Sequence, residues 1–290
     1  MNYINQLIEP LDGRVRYMLT TNGTIMNEKI IKLFKENDFE FVVSIDGLED
    51  IHTRNRPYIS GKSSYKDVEK NIYRLRESFD KMIANMVVTK EDIPYTVKSV
   101  QKLWDMGIDY VNIALCTSGE GVYSNEDYMQ WHEQMKILAD MTYKNILNGT
   151  RKLVLNYIDL INTIHNRKPR INCGLFTNGV FTFSPSGDSY RCYKAVGNNK
   201  YKLGNIDDKN LELLEGTMEK SHIDKCTKCW GQLLCKDGCA YENESFKGDI
   251  NTPNEEWCNR IKILATESLR IYAKLKLKGF QKYDELYDWG

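Results

Sequence analysis

Cysteines are the residues of this 290-residue chain whose type and spacing most clearly predict chemistry. Seven of the eight lie after residue 170, at Cys173, Cys192, Cys226, Cys229, Cys235, Cys239 and Cys258. The middle four form the run Cys-x2-Cys-x5-Cys-x3-Cys, and Gly187-x4-Cys192 precedes it. A soft metal or an iron–sulfur cluster needs three or four thiolates from short, turn-forming segments. The spacing therefore favours metal ligation.

A disulfide framework is the alternative explanation for so many cysteines. Residues 1–10 are too polar and acidic to contain the apolar core of a secretory signal. Clustered cysteines in a cytosolic protein bind metal more often than they form disulfides. We therefore expect a cytoplasmic, metal-binding protein.

Composition excludes several classes of partner. The formal net charge is zero and the pI is about 6.9, which predicts no general attraction to nucleic acid or to an anionic membrane. No apolar stretch approaches the roughly 20 residues that span a bilayer. The 41% hydrophobic content is enough for a packed core.

The first half of the chain alternates strand and helix patterns. Strands are predicted at residues 15–19, 39–45, 83–88 and 110–115, and the longest helix at about 125–147. Four strand–helix units in succession predict an α/β fold, with a parallel sheet covered by helices. The first strand would be an exposed edge. A β-hairpin near residues 180–192 and a final helix at about 259–278 follow.

Polar turns follow each predicted strand, at residues 21–23, 44–47, 89–90 and 116–117. The carboxyl ends of parallel strands meet at one edge of a sheet, where binding and catalytic residues gather. The alternative is that these are ordinary turns, which use Gly and Asn for backbone reasons.

The whole cysteine pattern resembles the seven-cysteine signature of the SPASM domain. That domain is the C-terminal extension of radical S-adenosylmethionine (SAM) enzymes that modify peptides and proteins. Cys173-Gly174 and the string Lys-Leu-Gly-Asn-Ile at residues 202–206 also resemble it. In the first half, Thr-Asn-Gly at 21–23 and Ser-Ile-Asp-Gly at 44–47, with His52 and Arg56, resemble the third and fourth strands of the radical SAM barrel.

The resemblance implies a domain organisation. Residues 1–150 would form a partial TIM-like (β/α) radical SAM barrel of about four βα units, and residues 151–170 a linker. Residues 171–260 would form a small cysteine-rich α+β SPASM domain, and residues 261–290 a C-terminal helix and tail. The residues expected to contact SAM are Asn22, Gly23, Ser44, Asp46 and Arg56. Asp46 capping its own turn is the alternative for that residue, and no catalytic residue is assigned.

By the same resemblance, the cysteines divide between two auxiliary [4Fe–4S] clusters. Cys173, Cys192 and Cys239 would bind the first cluster. The second would be bound by Cys226, Cys229, Cys235 and Cys258. Some relatives supply a fourth thiolate to the first cluster where Gly179 stands here. A substrate thiolate, water or a nearby carboxylate could take that position.

Two motifs of radical SAM enzymes do not occur in the sequence. The only cysteine before Cys173 is Cys116, so the chain has no Cys-x3-Cys-x2-Cys loop for the SAM-binding cluster. The Gly-Gly-Glu-Pro turn is also absent. We therefore expect an N-terminally incomplete relative that does not cleave SAM alone, with a separate polypeptide carrying the other barrel half as a candidate partner.

Three functional hypotheses follow. The chain is part of a maturase that modifies a peptide or protein, a non-catalytic Fe–S or peptide-binding module, or an interaction module with structural zinc, which Cys-x2-Cys pairs also bind. Relatives that oxidise a sulfatase side chain carry an acidic residue just after the second cysteine. Tyr193 stands there, which disfavours that activity.

Overall fold

The protein is described by a computed structural model that covers residues 2–11, 15–117, 123–168, 173–176, 180–208, 223–235 and 237–286. Gly179, the position of the extra ligand in some relatives, lies outside these residues. The chain divides into two compact units. The first comprises Met1–Asn162 and Thr266–Gly290, and the second Thr163–Ala265. The four-part division expected from the resemblance stays a prediction.

The first unit alternates helices and strands. In chain order these are α1 Asn2–Ile8, β1 Tyr17–Thr21, α2 Glu28–Glu36, β2 Phe39–Ser44, α3 Glu49–Asn55, α4 Tyr65–Arg76, β3 Ile83–Val88, α5 Thr96–Asp105, β4 Tyr110–Leu115, α6 Asn125–Leu147 and β5 Leu153–Val154. Helix α7, Leu155–Asn166, continues into the second unit.

Strands β1 to β5 form one parallel sheet in sequential order. The predicted α/β fold with a parallel sheet is therefore confirmed, although β5 was not predicted. Strand β1 lies at the edge of the described sheet, as expected, and Met18 on it is 59% exposed.

The two faces of the sheet differ because strand side chains alternate. On one face, apolar residues such as Phe41, Met86 and Ile113 are buried. On the other, Ser44, Asn85 and Asn112 are only partly buried, and the strand register places them in one row across β2, β3 and β4. Parallel sheets are normally apolar on both faces. These three residues, which we call the polar row, therefore mark a face suited to a polar ligand.

The second unit holds the cysteine-rich segments. Its elements are β6 Thr182–Phe183, β7 Asp188–Tyr190, β8 Lys202–Asn205, α8 Asp224–Thr227, α9 Gln232–Cys235, α10 Ala240–Lys247 and the start of α11 Glu255–Leu277. Strands β6 and β7 form the predicted hairpin, and β8 pairs antiparallel with β7. A small core packs beside this sheet and contains Leu175, Tyr190, Ala195, Tyr201 and Ala240.

Candidate functional site

One cavity in the second unit is lined by four cysteines. They are the four expected to share the second cluster: Cys226, Cys229, Cys235 and Cys258. Cys226 comes from α8, Cys235 ends α9 and Cys258 lies in the first turn of α11. The cavity volume is about 30 Å³. A single water molecule needs on the order of 10–15 Å³ by the same measure, so the cavity is large enough to hold a small bound group. Among the described residues, no group of three or more His, Cys, Asp and Glu side chains converges to hold a single metal ion.

Burial makes three of these thiols poor anions on their own. It raises the pKa of Cys226 to about 11, with the neighbouring Asp237 carboxylate adding to the effect. Burial also raises the pKa of Cys235 and of Cys258, and the other cysteines contribute as like charges. Four thiolates would therefore be stable in this cavity only with compensating positive charge, which bound metal supplies. The donor set fits a soft metal group.

Two N–H groups hydrogen-bond to the Cys235 sulfur. The Trp257 indole Nε1 lies 3.2 Å from Cys235 Sγ, and the Gly238 backbone N–H is the other donor. Asp237 and Gly238 both have positive φ, 65° and 87°, so the chain turns sharply between Cys235 and Cys239. A positive φ is unfavourable for Asp237, whereas glycine adopts it freely.

The three cysteines expected to share the first cluster lie at or next to the small core of the second unit. Cys173 and Cys192 pack against it, and Cys239 stands at the N-cap position of α10, directly before the core residue Ala240. Burial raises the pKa of Cys239, the Lys194 ammonium lowers it, and Cys173 is close enough to add a small like-charge effect.

Gly174 explains how the segments carrying Cys173 and Cys192 approach each other. A Cβ atom on Gly174 would lie 2.5 Å from the backbone oxygen of Arg191, the residue before Cys192. Such a contact is too short for any side chain, so the Cys-Gly pair permits the two backbones to touch. The structure thus brings these two cysteine segments together.

A buried charge network lies between the two cysteine sets. Glu242 on α10 accepts hydrogen bonds from Lys194 Nζ at 2.5 Å and from Arg260 Nη2 at 2.6 Å. Burial is the largest single influence on the pKa of Lys194 and would lower it, but the hydrogen bond to Glu242 and the negative charge of Glu242 and its neighbours together raise it. The Arg260 guanidinium in turn lies 5.2 Å from the centre of the Trp257 ring. Sequence reasoning missed this network because its members are far apart in the chain.

In the first unit, Asp46 and Arg56 contact each other. Arg56 donates from Nε and Nη2 to the two Asp46 carboxylate oxygens at 2.8 and 3.0 Å. The Val87 backbone N–H donates to Asp46 Oδ1 at 3.0 Å. Asp46 is 1% exposed, so its carboxylate is largely engaged by the protein. The pair fixes the turn after β2 against β3.

His52 lies behind this ion pair and is held in one tautomer. The Ser64 hydroxyl donates to the Arg56 carbonyl at 2.7 Å, so it accepts from His52 Nε2 at 3.0 Å. His52 Nδ1 then accepts from the Asp46 backbone N–H at 3.3 Å. Burial lowers the pKa of His52, consistent with a neutral ring. The structure gives His52 a positioning role.

The remaining residues expected to contact SAM lie at the ends of β1 and β2. Asn22 is exposed, and its side-chain oxygen accepts from Thr24. Gly23 is buried, and a Cβ there would lie 3.0 Å from a Val43 methyl group. Ser44 belongs to the polar row.

Asn85 and Asn112 in the polar row were not identified from the sequence. The Asn112 amide donates to Asn85 Oδ1 at 3.0 Å. The signal was available, since each is a lone polar residue at the third position of an apolar strand. Their pairing across the sheet could be seen only from the register.

No helix in the part of the chain that the structure describes is long and apolar enough to cross a membrane. No protein-family profile matches the chain.

Curated relatives do match. The cysteine-type anaerobic sulfatase-maturating enzyme of Clostridium novyi (strain NT) is 27% identical over 247 residues, covering 79% of this chain and 65% of the relative. The enzyme of the same description from Clostridium perfringens (strain ATCC 13124) is 30% identical over 245 residues, covering 76% of this chain and 63% of the relative. The chain thus spans a little under two thirds of these relatives.

Solved structures share the fold. Native anSMEcpe with bound AdoMet superposes with a TM-score of 0.76 at 23% identity, covering 94% of this chain and 80% of that one. The same protein with bound AdoMet and Kp18Cys peptide gives a TM-score of 0.73 at 24% identity, covering 96% and 82%. The resemblance predicted from the sequence is therefore confirmed: the chain is a homologue of the anaerobic sulfatase-maturating enzymes and shares the fold of the solved anSMEcpe structures.

Proposed function

We propose that this chain provides the auxiliary-cluster part of a radical SAM/SPASM enzyme that modifies a peptide or protein. The observation that carries the proposal is the cavity lined by Cys226, Cys229, Cys235 and Cys258. These four are the set that the SPASM resemblance assigns to one [4Fe–4S] cluster, although they are spread over 33 positions of the sequence, from 226 to 258. The position of all four cysteines in the lining of one cavity supports the assignment.

The first cluster would be held by Cys173, Cys192 and Cys239. Three thiolates leave one iron position of such a cluster without a cysteine from this set. A substrate thiolate, water or a carboxylate could fill it. Lys194 beside Cys239 would offset part of the negative charge of the thiolates.

When bound, such clusters supply one-electron acceptance or an iron site for a substrate atom. The chain's own residues supply the rest. The cysteines would hold the clusters, their partial burial limits the access of water, and the turn at Asp237 and Gly238 aims a backbone N–H at the Cys235 sulfur.

SAM contacts of the chain are proposed at the carboxyl ends of β1 and β2. Asn22, Gly23 and Ser44 are the candidates for direct contact, because each lies at the end of a parallel strand, where ligands bind. Asp46 and Arg56 are mutually paired, so we propose that they act by holding the turn. The solved relative anSMEcpe binds AdoMet, which supports a SAM site in the homologous fold.

The substrate class is a peptide or a protein. Relatives are described as sulfatase-maturating enzymes, and anSMEcpe has been solved with bound Kp18Cys and Cp18Cys peptides. Tyr193, which is 73% exposed, stands where an acidic residue follows the second cysteine in sulfatase-oxidising relatives. A phenol in place of a carboxylate argues for another modification, such as a thioether crosslink. A cytoplasmic location stays a prediction from cysteine usage.

The test is anaerobic reconstitution of the chain with iron and sulfide. We expect a brown protein with about eight irons per chain, as two four-iron clusters require. With dithionite and SAM, the chain alone should release no 5′-deoxyadenosine, because it has no Cys-x3-Cys-x2-Cys loop. Addition of a polypeptide that carries this loop should restore cleavage if the chain is part of an enzyme. No cleavage under that condition would favour a non-catalytic Fe–S module, and a colourless protein with stoichiometric zinc would overturn the proposal.

A further inference from the structure

The indole of Trp257 lies beside the cysteine-lined cavity and hydrogen-bonds to one of its sulfurs. Its Nε1 lies 3.2 Å from Cys235 Sγ, so the N–H points at the sulfur of a proposed cluster ligand. Trp257 immediately precedes Cys258, another lining residue, at the start of α11. Trp257 is therefore linked to the cavity lining in two ways, through the hydrogen bond of its ring to Cys235 and through its peptide bond to Cys258.

The surroundings of Trp257 keep its ring in this orientation. Gly238 lies next to it, and a Cβ on Gly238 would be 3.5 Å from Trp257 Cδ1 and 3.2 Å from Asn243 Oδ1. Gly238 therefore borders the edge of the indole that carries the N–H, and its positive φ of 87° is what favours glycine at this position. The sharp turn that Gly238 forms also supplies the second donor to Cys235.

A fixed positive charge lies over the face of the Trp257 ring. Arg260, one turn along α11, lies 5.2 Å from the Trp257 ring centre. Glu242 holds Arg260 in place at 2.6 Å, and both side chains are mostly buried. A cation over an indole attracts π-electron density and makes the N–H a stronger donor. The network of Glu242 and Arg260 thus supports the hydrogen bond to Cys235.

We propose that Trp257 is a positioning residue that raises the reduction potential of the second cluster through its N–H···S hydrogen bond. This inference rests on the proposed function. When a cluster gains one electron from an external donor, negative charge on the ligand sulfurs increases. A hydrogen bond to that sulfur stabilises the reduced form more than the oxidised form, because charge-assisted hydrogen bonds are the stronger ones. No bond to sulfur is formed or broken in this step.

The test compares Trp257→Phe with Trp230→Phe in the full reconstituted chain. Trp230 follows the ligand Cys229 but is 58% exposed, and the described contacts include no hydrogen bond from its indole to a sulfur. The midpoint potentials of the two clusters are measured by redox titration that is monitored by electron paramagnetic resonance. In Trp257→Phe we expect one midpoint to become more negative, with the reduced-to-oxidised ratio at a fixed potential about tenfold lower, or about 59 mV for one electron. The other midpoint, and both in Trp230→Phe, should stay unchanged.

The outcomes separate this inference from the proposed function. If wild type binds no iron, the proposed function fails and the inference falls with it. If Trp257→Phe binds wild-type iron and neither midpoint moves, the inference is wrong and the proposed function stands. If Trp257→Phe loses iron, benzothienylalanine at position 257 decides, because it keeps the ring shape and replaces the N–H with sulfur. A negative shift in that variant supports the inference, and an unchanged midpoint overturns it.

Discussion

The ion pair between Asp46 and Arg56 gives a prediction about what holds the polar edge of the sheet. In Asp46→Asn, the side-chain shape is kept and the negative charge is removed. The Arg56 guanidinium then has no counter-charge, and the new NH2 group faces one of three donors, from Arg56 or Val87. The turn after β2 should be weakened, even though no apolar contact is lost.

The magnitude follows from burial. Breaking one side of a buried ion pair costs about 3–5 kcal/mol. Asp46 is 1% exposed, but the Arg56 side chain is 28% exposed and keeps part of its hydration. We therefore expect the free energy of unfolding to fall by about 2–3 kcal/mol. In the Arg56→Met background, Asp46→Asn should cost much less, because the two residues act as one unit.

The assay is urea unfolding followed by the fluorescence of Trp104 and Trp131, which are both buried in the first unit. The matched control is Glu36→Gln on α2, which removes a solvent-exposed pair with Lys32. That control should change the free energy by less than about 0.5 kcal/mol. A similarly small change in Asp46→Asn would refute a structural role for the pair. The carboxylate would then be a candidate for direct SAM contact.

Two further predictions concern His52 and Gly174. Burial lowers the pKa of His52 below its ordinary value of 6.5, so the unfolded chain takes up a proton that the folded chain excludes. The stability contributed by neutral His52 should be complete above pH 6.5 and fall as the pH is lowered. In urea unfolding measured from pH 8 to 5, His52→Asn should therefore reduce the dependence of the unfolding midpoint on pH. An equal pH dependence in the variant and the wild type would contradict the neutral, buried state of His52. Gly174→Ala places a methyl group 2.5 Å from the Arg191 backbone oxygen, which should cost about 1–3 kcal/mol. Reconstituted iron should fall in that variant. Gly149→Ala in the first unit should keep it, because a Cβ there meets nothing within 4 Å and its cost comes only from the positive φ of 67°. Full iron in Gly174→Ala would contradict the close approach of the two cysteine segments.

The sequence predicted the parallel sheet well because its strands are short apolar runs with clear helical periodicity between them. Ile83–Val88 and Tyr110–Leu115 match the predicted strands at both ends, and the capping box at Ser124 and Asp127 marks the start of α6. Strand β5 was missed because it has only two residues and joins α7 directly.

The cysteine sets could be assigned from spacing only through the family resemblance. Periodicity cannot show that Cys258, on a helix, faces Cys226 from another segment. The residues around the sulfurs were less predictable still. Trp257, Glu242 and Arg260 look like ordinary surface helix residues in the sequence, and their role depends on long-range contacts that no local pattern encodes.

Iron content in paired cysteine variants is the most direct test of two separate cluster sites. One variant carries Cys226→Ala and Cys258→Ala, and the other Cys192→Ala and Cys239→Ala. Each should retain about four irons per chain, against about eight in the wild type, while Cys116→Ala should retain about eight. Circular dichroism confirms that each variant is folded. Loss of all iron from a folded variant, or wild-type iron in either pair, would contradict the division of the seven cysteines into two sites.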